Sequence, residues 1–448
     1  MTFKEREYQT SLSLRTRSTI GRVRKAIMCQ PCGSGKTTVA ADIVERACNK
    51  DITCVFLSDR KEILNQTAKT FTAHGIDFGI VDASTKVIHK HKVYIGMVET
   101  FYRRYSAAKF KGIDIGLVVL DEAHMGNYSK VIEILDIAPK PPYIIGLTAT
   151  PISSSTKKPL NKLYNDIVMG PSSPWLIENK YLVPSVDFGQ KDLYDFEKKS
   201  GEFTAESQLK IFRKCKSDDK MFKLWESKAK DRQTIIYNVT LEHNEEVRDM
   251  FIRNGYSCEM VSSETPDGER DQITNDFKAG KIQIVCNVGI YTKGFDAPSI
   301  SCVVVNRATD SLALWVQMNR GGRPYPNKDN FITIDMGNNI LRHGSFNDEI
   351  DWEFLFKNDK RRVSDSIGNK YLCPTCYAYL MNKYLAECPV CGDILTENTI
   401  IKFEFVIPEE LKTKDVKLMN KDELKMYAKW KGYKPAWVFF TLQNRYNK

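Results

Sequence analysis

The sequence lacks long apolar runs. No run approaches the roughly 18 residues that a membrane-spanning helix needs, and the N-terminus has no secretory apolar core. There is also no long low-complexity stretch and no internal repeat of solenoid period. These absences argue against membrane, fibrous and repeat proteins, and they predict a soluble, cytoplasmic, globular chain. A length of 448 residues predicts two or three domains.

Eight of the twelve cysteines are scattered and are interpreted as reduced thiols, because several fall in predicted buried strands. The other four form a C-x₂-C-x₁₁-C-x₂-C pattern, in which each pair can turn two thiolates toward one metal. Four sulfur ligands favour tetrahedral, structural Zn²⁺. An Fe–S cluster and two disulfides are the alternatives. The predicted zinc ligands are Cys373, Cys376, Cys388 and Cys391.

A glycine-rich loop lies between a short apolar run and a helical pattern, which is the context of a phosphate-binding loop. Gly33 and Gly35 allow backbone N–H groups to close around phosphate oxygens, and the following helix N-terminus adds partial positive charge. Lys36 can reach the β- and γ-phosphates, and Thr37 can bind Mg²⁺. Gln30 occupies the position of the usual first glycine. The predicted nucleotide contacts of this loop are Pro31, Cys32, Gly33, Ser34, Gly35, Lys36, Thr37 and Thr38.

Two acids, Asp121 and Glu122, directly follow the apolar segment 115–120, which predicts a buried parallel strand. Ligands of α/β folds bind at such carboxyl ends. Asp121 can hold Mg²⁺, and Glu122 can orient or deprotonate a water. An acidic loop without function is the alternative for these residues alone. Combined with the phosphate loop, they predict a nucleoside-triphosphate hydrolase.

Asp-Glu-Ala-His at 121–124, followed by Gly-Leu-Thr-Ala-Thr-Pro at 146–151, resembles the motif pair of superfamily 2 helicases of the DEAD/DEAH-box type. The resemblance spans nearly the whole chain and implies an α/β fold with two tandem RecA-like doubly wound parallel-sheet domains. It also implies that Gln9 reads the adenine and that Arg6 lies nearby. His124 would couple hydrolysis to movement through Thr148, Ala149 and Thr150 or through Gln317.

A second series of motifs begins near residue 232, with predicted strands at 233–238, 282–286, 303–306 and 331–335. Gly294 and Asp296 belong to a segment similar to motif V of the family, and Gln317 begins one similar to motif VI. Both segments are implied to bind the nucleotide. Compared with the family pattern Gln-x-x-Gly-Arg-x-x-Arg, one residue before Arg320 is missing.

Arg320 and Arg323 are the candidates for the arginine finger that neutralises the developing charge. We favour Arg323, with Arg320 also facing the phosphates. Surface ion pairing of both arginines is the alternative. The resemblance further implies a strand-tracking surface on nucleic acid, formed by Arg60, Thr100, Thr240, Ser262, Thr292 and Lys293.

Net charge is +10, and residues 411–448 hold ten Lys or Arg against three Asp or Glu. Aromatic residues are interleaved with these cations, which suits phosphate contact and base stacking. The alternative is that the aromatics form the core of a small domain. The predicted segments are motor domain 1 at 1–170, a connector and helical segment at 171–232, motor domain 2 at 233–345, and a zinc-ribbon domain with the basic, aromatic tail at 346–448.

The segments 335–344 and 426–437 resemble those of phage and bacterial helicases that act on branched DNA. If the chain is encoded by a phage, we expect it to work in the cytoplasm of the host. The leading hypothesis is an ATP hydrolase that unwinds or branch-migrates single-stranded, forked or branched DNA, with ATP, Mg²⁺ and structural Zn²⁺ as cofactors and no membrane partner. An RNA helicase and the motor of a restriction system are alternatives within the same chemistry. A nucleotide-gated binding module belongs to another class, and a water-activating acid combined with a finger argues against it.

Overall fold

The computed structural model describes residues 6–85, 87–125, 128–153, 158–292, 295, 297–359, 370–380, 385–396, 399–401, 404–405, 411, 413–431, 433, 437–438 and 441–442. Two parallel sheets with flanking helices form the body of the protein, which confirms the predicted fold class. Within the described ranges, no helix combines the length and the apolar character that crossing a membrane requires.

The first domain is built on seven parallel strands in the order β3-β4-β2-β5-β6-β1-β7. The strands are β1 (Lys25–Cys29), β2 (Thr53–Ser58), β3 (Gly79–Val81), β4 (Val93–Met97), β5 (Ile115–Leu120), β6 (Tyr143–Thr148) and β7 (Asp166–Met169). The helices are α1 (Glu7–Val23), α2 (Lys36–Cys48), α3 (Lys61–Ala73), α4 (Val98–Ser106), α5 (Tyr128–Asp136) and α6 (Leu160–Leu163).

The strands of this sheet are apolar on both faces because helices cover both sides. In β5, Val118 and Leu120 pack into one buried cluster, whereas Leu117 and Val119 pack into the other. Adjacent pairing of β1 with β6 and of β6 with β5 aligns their carboxyl ends. The loop after β1, the acids after β5 and the segment 148–150 therefore share one edge of the sheet.

The second domain has a six-stranded parallel sheet in the order β13-β14-β12-β15-β16-β8. Its strands are β8 (Ser185–Gly189), β12 (Thr234–Tyr237), β13 (Cys258–Val261), β14 (Ile284–Asn287), β15 (Cys302–Val305) and β16 (Phe331–Asp335). Short strands β9 (Asp192–Leu193), β10 (Lys198–Lys199) and β11 (Glu202–Phe203) lie outside this sheet. The helices are α7 (Ser173–Glu178), α8 (Ala205–Lys214), α9 (Ser217–Ala229), α10 (Leu241–Arg253), α11 (Asp267–Lys278), the 3₁₀ turn Ile290–Thr292, α12 (Leu312–Met318) and α13 (Asn339–His343).

The segment 171–232 does more than connect the two domains. Its strand β8 pairs with β16 along the whole strand, from Ser185 opposite Phe331 to Gly189 opposite Asp335. Helix α9 places Trp225 in the core on one face of the same sheet. From β8 to α9, this segment is therefore part of the second domain in the structure.

Helix α14 (Trp352–Lys357) follows the second domain and packs between both domains. Leu355 joins the core of the second domain, whereas Phe356 joins the core of the first. Asn161 Nδ2 donates a hydrogen bond of 3.3 Å to the carbonyl of Lys357. The chain thus returns to the first domain before it reaches the cysteine module, which comprises the segments 370–380 and 385–396 around the four paired cysteines.

The cysteine module contains β17 (Tyr371–Leu372) and β18 (Tyr379–Leu380), which pair in antiparallel fashion. It docks on β8, because Gly189 N donates to Tyr377 O at 3.1 Å and Phe188 bridges to Ala378. A side chain at Gly189 would overlap the Tyr379 ring, so glycine permits this close approach. Further along, β19 (Glu404–Phe405) pairs in parallel with β9.

The basic tail contains the 3₁₀ turn Val416–Leu418 and α15 (Lys421–Lys431). Tyr427, Trp430 and Trp437 pack against a small buried cluster that includes Leu424. These aromatics therefore serve as core, as the alternative interpretation of the tail expected. Tyr433 remains 44% exposed. Phe439, Phe440 and Tyr446, which the sequence also offered for base stacking, lie outside the described residues.

Candidate functional site

The phosphate loop leaves β1 and enters α2 through two glycines in the left-handed region. Gly33 has φ +83° and Gly35 has φ +87°, conformations that side chains disfavour. Lys36 begins α2, and its Nζ donates to the carbonyls of Gln30 at 3.4 Å and Pro31 at 3.5 Å. The ammonium thus lies inside the curve of the loop, from which it can reach a bound phosphate.

The acid pair follows β5 at the same edge. Asp121 is buried, and its Oδ1 accepts a 3.0 Å bond from the backbone N–H of Glu122. Burial, and secondly the neighbouring Glu122 carboxylate, raise the pKa of Asp121 to about 7, although Lys36 acts in the opposite direction. A divalent cation at Asp121 would favour its ionised form. Glu122 has φ +50°, a left-handed backbone that is uncommon for a residue with a side chain.

His124 joins the two domains. Its Nδ1 lies 3.0 Å from Thr148 Oγ1, and its Nε2 lies 3.0 Å from Gln317 Nε2. With the Gln317 amide in this orientation, its nitrogen donates to His124 Nε2, and a neutral imidazole then carries its proton on Nδ1. Gln317 Nε2 also lies 3.4 Å from Thr150 Oγ1. The histidine therefore contacts both partners that the sequence offered for it.

Hydrogen bonds between Thr148 and Thr150 hold the segment after β6 in a compact turn. Thr150 N donates to Thr148 Oγ1 at 3.0 Å, and that hydroxyl donates to Thr150 O at 3.2 Å. Ala149 is buried, and its carbonyl lies 3.9 Å from Cys29 Sγ of β1. Glu122 Oε2 lies 3.3 Å from His124 Nδ1, so the His124 ring contacts both Glu122 of the acid pair and Gln317 of the second domain.

The two arginines have different surroundings. A Cβ built on Gly33 would lie 2.8 Å from Arg323 Cγ, which places Arg323 directly against the phosphate loop. Burial lowers the pKa of Arg323 from its usual value. Arg320 instead donates to the carbonyls of Phe295, at 2.6 Å, and of Thr292. Arg320 thus holds the loop that follows β14.

The shortened motif VI turns on two glycines after α12. A Cβ on Gly321 would lie 2.2 Å from the Phe331 ring, and one on Gly322 would lie 2.3 Å from the Phe346 ring. Only a residue without a side chain fits between these rings and the turn. This packing directs Arg320 and Arg323 into one cleft of about 320 Å³. The cleft is lined by Cys32, Gly33, Gly35, Lys36, Thr37, Ile63, Gln66, Asp121, Glu122, Phe295, Pro298, Arg320, Arg323 and Pro324.

The start of α1 contacts the phosphate loop from the other side. Gln9 Nε2 donates to Ser34 O at 3.3 Å, and Gln9 Oε1 accepts from Arg6 N at 3.0 Å. Tyr8 OH donates to the same Ser34 carbonyl at 2.6 Å. The Arg6 guanidinium lies 4.8 Å from the centre of the Tyr181 ring. Thr38 N donates to Gly35 O at 3.1 Å within the first turn of α2.

The predicted strand-tracking residues are brought together only in part. Arg60 Nη1 donates to the carbonyl of Ile290 at 3.4 Å and so spans the two domains near Thr292. Ser262 and Thr292 are buried, and Thr292 Oγ1 donates to Gly289 O at 2.7 Å. Thr240 caps α10, where its side chain accepts from His243 N. Thr100 is half-buried in α4, and Lys293, Gly294 and Asp296 lie outside the described residues.

The cysteine pairs form two turns of the same geometry. Tyr377 N donates to Cys373 O at 3.1 Å, and Gly392 N donates to Cys388 O at 2.9 Å. Tyr377 and Gly392 both have positive φ, at 62° and 73°. Each turn presents two thiols to the same point, so the residues fit a tetrahedral metal with sulfur ligands. The four thiols, with Sγ atoms all within 4.8 Å of one another, are Cys373, Cys376, Cys388 and Cys391.

Two family models match the chain. Residues 2–153 match the model described as "Type III restriction enzyme, res subunit", and residues 196–324 match the model described as "Helicase conserved C-terminal domain". Together they cover more than half of the sequence and both walls of the cleft. The chain belongs to the superfamily 2 helicases. It is a nucleic-acid-dependent ATPase of the helicase type.

Curated relatives of this helicase include viral and eukaryotic proteins. A 51.5 kDa protein of a Lactococcus phage is 28% identical over 81% of this chain and 76% of its own length. A Saccharomyces cerevisiae protein described as an ATP-dependent helicase, IRC3, is 26% identical over 68% of this chain. The helicase spans only 47% of that yeast protein, so the activity of the yeast protein as a whole does not transfer.

Solved structures share the fold of this helicase. A Vibrio vulnificus fragment assigned as the HsdR subunit of a type I restriction enzyme has a TM-score of 0.58 and 20% identity, over 74% of this chain and 64% of the fragment. The Type ISP restriction-modification enzyme LlaBIII, solved bound to DNA, has a TM-score of 0.55 and 15% identity, over 74% of this chain and 28% of that enzyme.

Sequence reasoning passed over two contributors to the site. Tyr8 bonds to the phosphate loop and packs on Tyr181 and Trp175 with ring centroids 5.0 and 5.8 Å away. Its position between Arg6 and Gln9 was the available signal. Phe295 supplies a carbonyl to Arg320, and a backbone acceptor leaves no sequence signal.

Proposed function

We propose that this helicase hydrolyses ATP to translocate on DNA and to unwind or branch-migrate forked or branched DNA. One observation carries the proposal: the phosphate loop and the acid pair face Arg323 across a single interdomain cleft. Hydrolysis there depends on both domains, so each turnover is linked to their relative position. A hydrogen bond between His124 and Gln317 provides a second link.

Within this proposal, Lys36 binds the β- and γ-phosphates, and Thr37 and Asp121 hold Mg²⁺. The ion neutralises phosphate charge when it is bound. Glu122 orients the attacking water and accepts its proton. Arg323 stabilises the charge that develops on the γ-phosphate, because its guanidinium is positioned against Gly33. Arg320 also lines the cleft, but its guanidinium donates to backbone carbonyls and so fixes the loop after β14.

Gln9 and Arg6 contact the adenine within this proposal, since both already line the start of α1 beside the loop. Gly294 and Asp296 complete the nucleotide contacts from the second domain. His124 passes the state of the acid pair to Gln317, because Glu122 and Gln317 both contact its ring.

DNA as the partner is supported by the positive charge of the chain. Net charge is +10, and residues 411–448 contribute ten cations and three anions. The packing of Trp430 and Trp437 into the tail's small core leaves the lysines as the expected phosphate contacts. Zn²⁺ held by the four cysteines would fix the module on β8, and therefore on the second motor domain. Forked or branched DNA rests on the resemblance to phage-type helicases.

The test is ATP hydrolysis measured on single-stranded, duplex, forked and four-way DNA, with RNA of matched sequence. We expect the largest stimulation on branched DNA and ATP-dependent separation of its strands. Lys36→Ala is expected to abolish hydrolysis and to leave DNA binding nearly unchanged. Absence of DNA-stimulated turnover would refute the proposal, and greater stimulation by RNA would favour the RNA helicase.

A restriction-system motor is the second candidate, favoured by the description of the family model that covers residues 2–153. In that case the helicase would act together with a nuclease subunit. Its test is ATP-dependent cleavage of plasmid DNA by complexes purified from the native source. Cleavage that disappears with Lys36→Ala would favour this second candidate.

A further inference from the structure

Lys328 lies in the loop that joins motif VI to β16. Residues 325–328 form a β-turn in which Lys328 N donates to Tyr325 O at 3.1 Å. Pro326 and Asn327 occupy the central positions, and Asn327 has φ +60°, as a type II turn requires. The turn reverses the chain, so the Lys328 side chain reaches back toward Arg323.

The Lys328 ammonium is surrounded by three backbone carbonyls. Its Nζ donates to Arg323 O at 2.9 Å, to Pro298 O at 2.9 Å and to Ile300 O at 2.5 Å. An ammonium has three N–H donors and no acceptor, so this set is fully used. Lys328 therefore ties the backbone of Arg323 to the loop that contains Pro298 and Ile300.

The surroundings of Lys328 disfavour the charged form of its side chain. Burial, then Arg323 and Arg232, lower the pKa of Lys328 to about 7. The carbonyl dipoles offset part of this cost. The three hydrogen bonds of Lys328 fix the positions of the bonded backbone segments, although Lys328 is repelled by Arg323 and Arg232. Unfavourable local interactions of this kind are concentrated at functional sites.

We propose that Lys328 is a positioning residue for Arg323, holding its backbone so that the guanidinium stays against the phosphate loop. The inference rests on the proposed role of Arg323 as the finger. A Cβ built on Gly33 would lie only 2.8 Å from Arg323 Cγ. The Arg323 side chain therefore extends from the backbone that Lys328 anchors, across the cleft, to the phosphate loop. A shift of about 1 Å at a catalytic group can lower a rate by about a hundredfold.

The test compares Lys328→Met with Lys370→Met as the matched control. Lys370 is another half-buried lysine of the C-terminal half, and its Nζ donates to Ile340 O at 3.3 Å and to Asp348 at 3.1 Å. We expect Lys328→Met to lower kcat about 10- to 100-fold while KM for ATP stays within about twofold. Lys370→Met is expected to keep both parameters.

A double-mutant cycle separates positioning from a general structural role. In an Arg323→Ala background, Lys328→Met is expected to lower kcat no further, because Lys328 acts through Arg323. Additive losses would overturn the inference. If Lys328→Met lowers Tm below the assay temperature, Lys328→Gln, which keeps two amide donors, is measured in its place.

The possible failures are distinguishable. Absence of DNA-stimulated hydrolysis in the unmodified helicase would remove the proposed function itself. Full turnover in Arg323→Ala would remove the finger assignment on which the inference rests. Loss in Arg323→Ala together with unchanged kcat in Lys328→Met and Lys328→Gln would overturn the role of Lys328 alone.

Discussion

Replacement of Gln317 by methionine is expected to uncouple ATP hydrolysis from DNA binding. Gln317 Nε2 contacts His124 Nε2 at 3.0 Å and Thr150 Oγ1 at 3.4 Å, and it does so from the other motor domain. Methionine has a similar length and is flexible, but it cannot donate a hydrogen bond. The substitution therefore removes the contact and retains most of the volume.

The magnitude follows from burial. Gln317 is 6% exposed and His124 is 2% exposed, so water does not readily replace the lost donor. A buried acceptor that loses its partner costs about 1–3 kcal/mol. If DNA binding favours the arrangement with this contact, a loss of about 1–2 kcal/mol lowers DNA stimulation about 5- to 30-fold.

The assay is the ratio of kcat with saturating forked DNA to kcat without DNA. Gln208→Met is the matched control, because Gln208 is also buried in the second domain and accepts from Ala308 N at 2.8 Å. The control is expected to lower Tm but to keep the ratio. Gln317→Met is expected to lower the ratio with a smaller change in basal kcat.

A double-mutant cycle with His124→Ala tests the reasoning directly. The two substitutions should be strongly non-additive in the stimulation ratio, since each removes one side of the same contact. Unchanged stimulation in Gln317→Met, or full additivity with His124→Ala, would refute the coupling role of this contact.

Three further outcomes are expected. Burial and Glu122 raise the pKa of Asp121 to about 7, so below that pH Mg²⁺ must displace a proton from the Asp121 carboxyl group. The apparent Mg²⁺ affinity, measured from turnover, should therefore fall up to about tenfold per pH unit between pH 7 and 5. Saturating Mg²⁺ should restore the rate. Gly33→Ala should lose most of its kcat, since φ +83° costs a side chain about 1–2 kcal/mol and its Cβ would displace Arg323; retained kcat would contradict the close contact. Cys376→Ser should contain less zinc by elemental analysis and should unfold at a lower Tm, whereas Cys258→Ser should keep its metal.

The parts of the fold with strong local signals were predictable. The apolar run Ile115–Leu120 is strand β5 and Phe331–Asp335 is strand β16, because parallel strands that are buried on both faces must be apolar throughout. Strand β6 includes the first residues of the motif at 146–151, since Gly146 and Thr148 pair with β1. The edge strand β8 was interpreted as connector, because a short segment beside Pro184 becomes a strand only through its pairing with β16.

The site was predictable in its parts but not in its division of labour. Spacing alone could not separate Arg320 from Arg323, because one residue of the family pattern is missing. What separates them is the turn at Gly321 and Gly322 against two phenylalanine rings, a contact between residues distant in sequence. The finger assignment to Arg323 stays a prediction that its alanine variant tests.

Helix α14 has a mechanical consequence. The chain passes between the motor domains at 171–184 and returns through α14, where Leu355 and Phe356 are held by different cores. Two rigid bodies that are joined at two points move most easily by rotation about the line through those points. If the two domains move as rigid bodies during the ATPase cycle, these two connections favour a relative rotation over a translation that separates the domains.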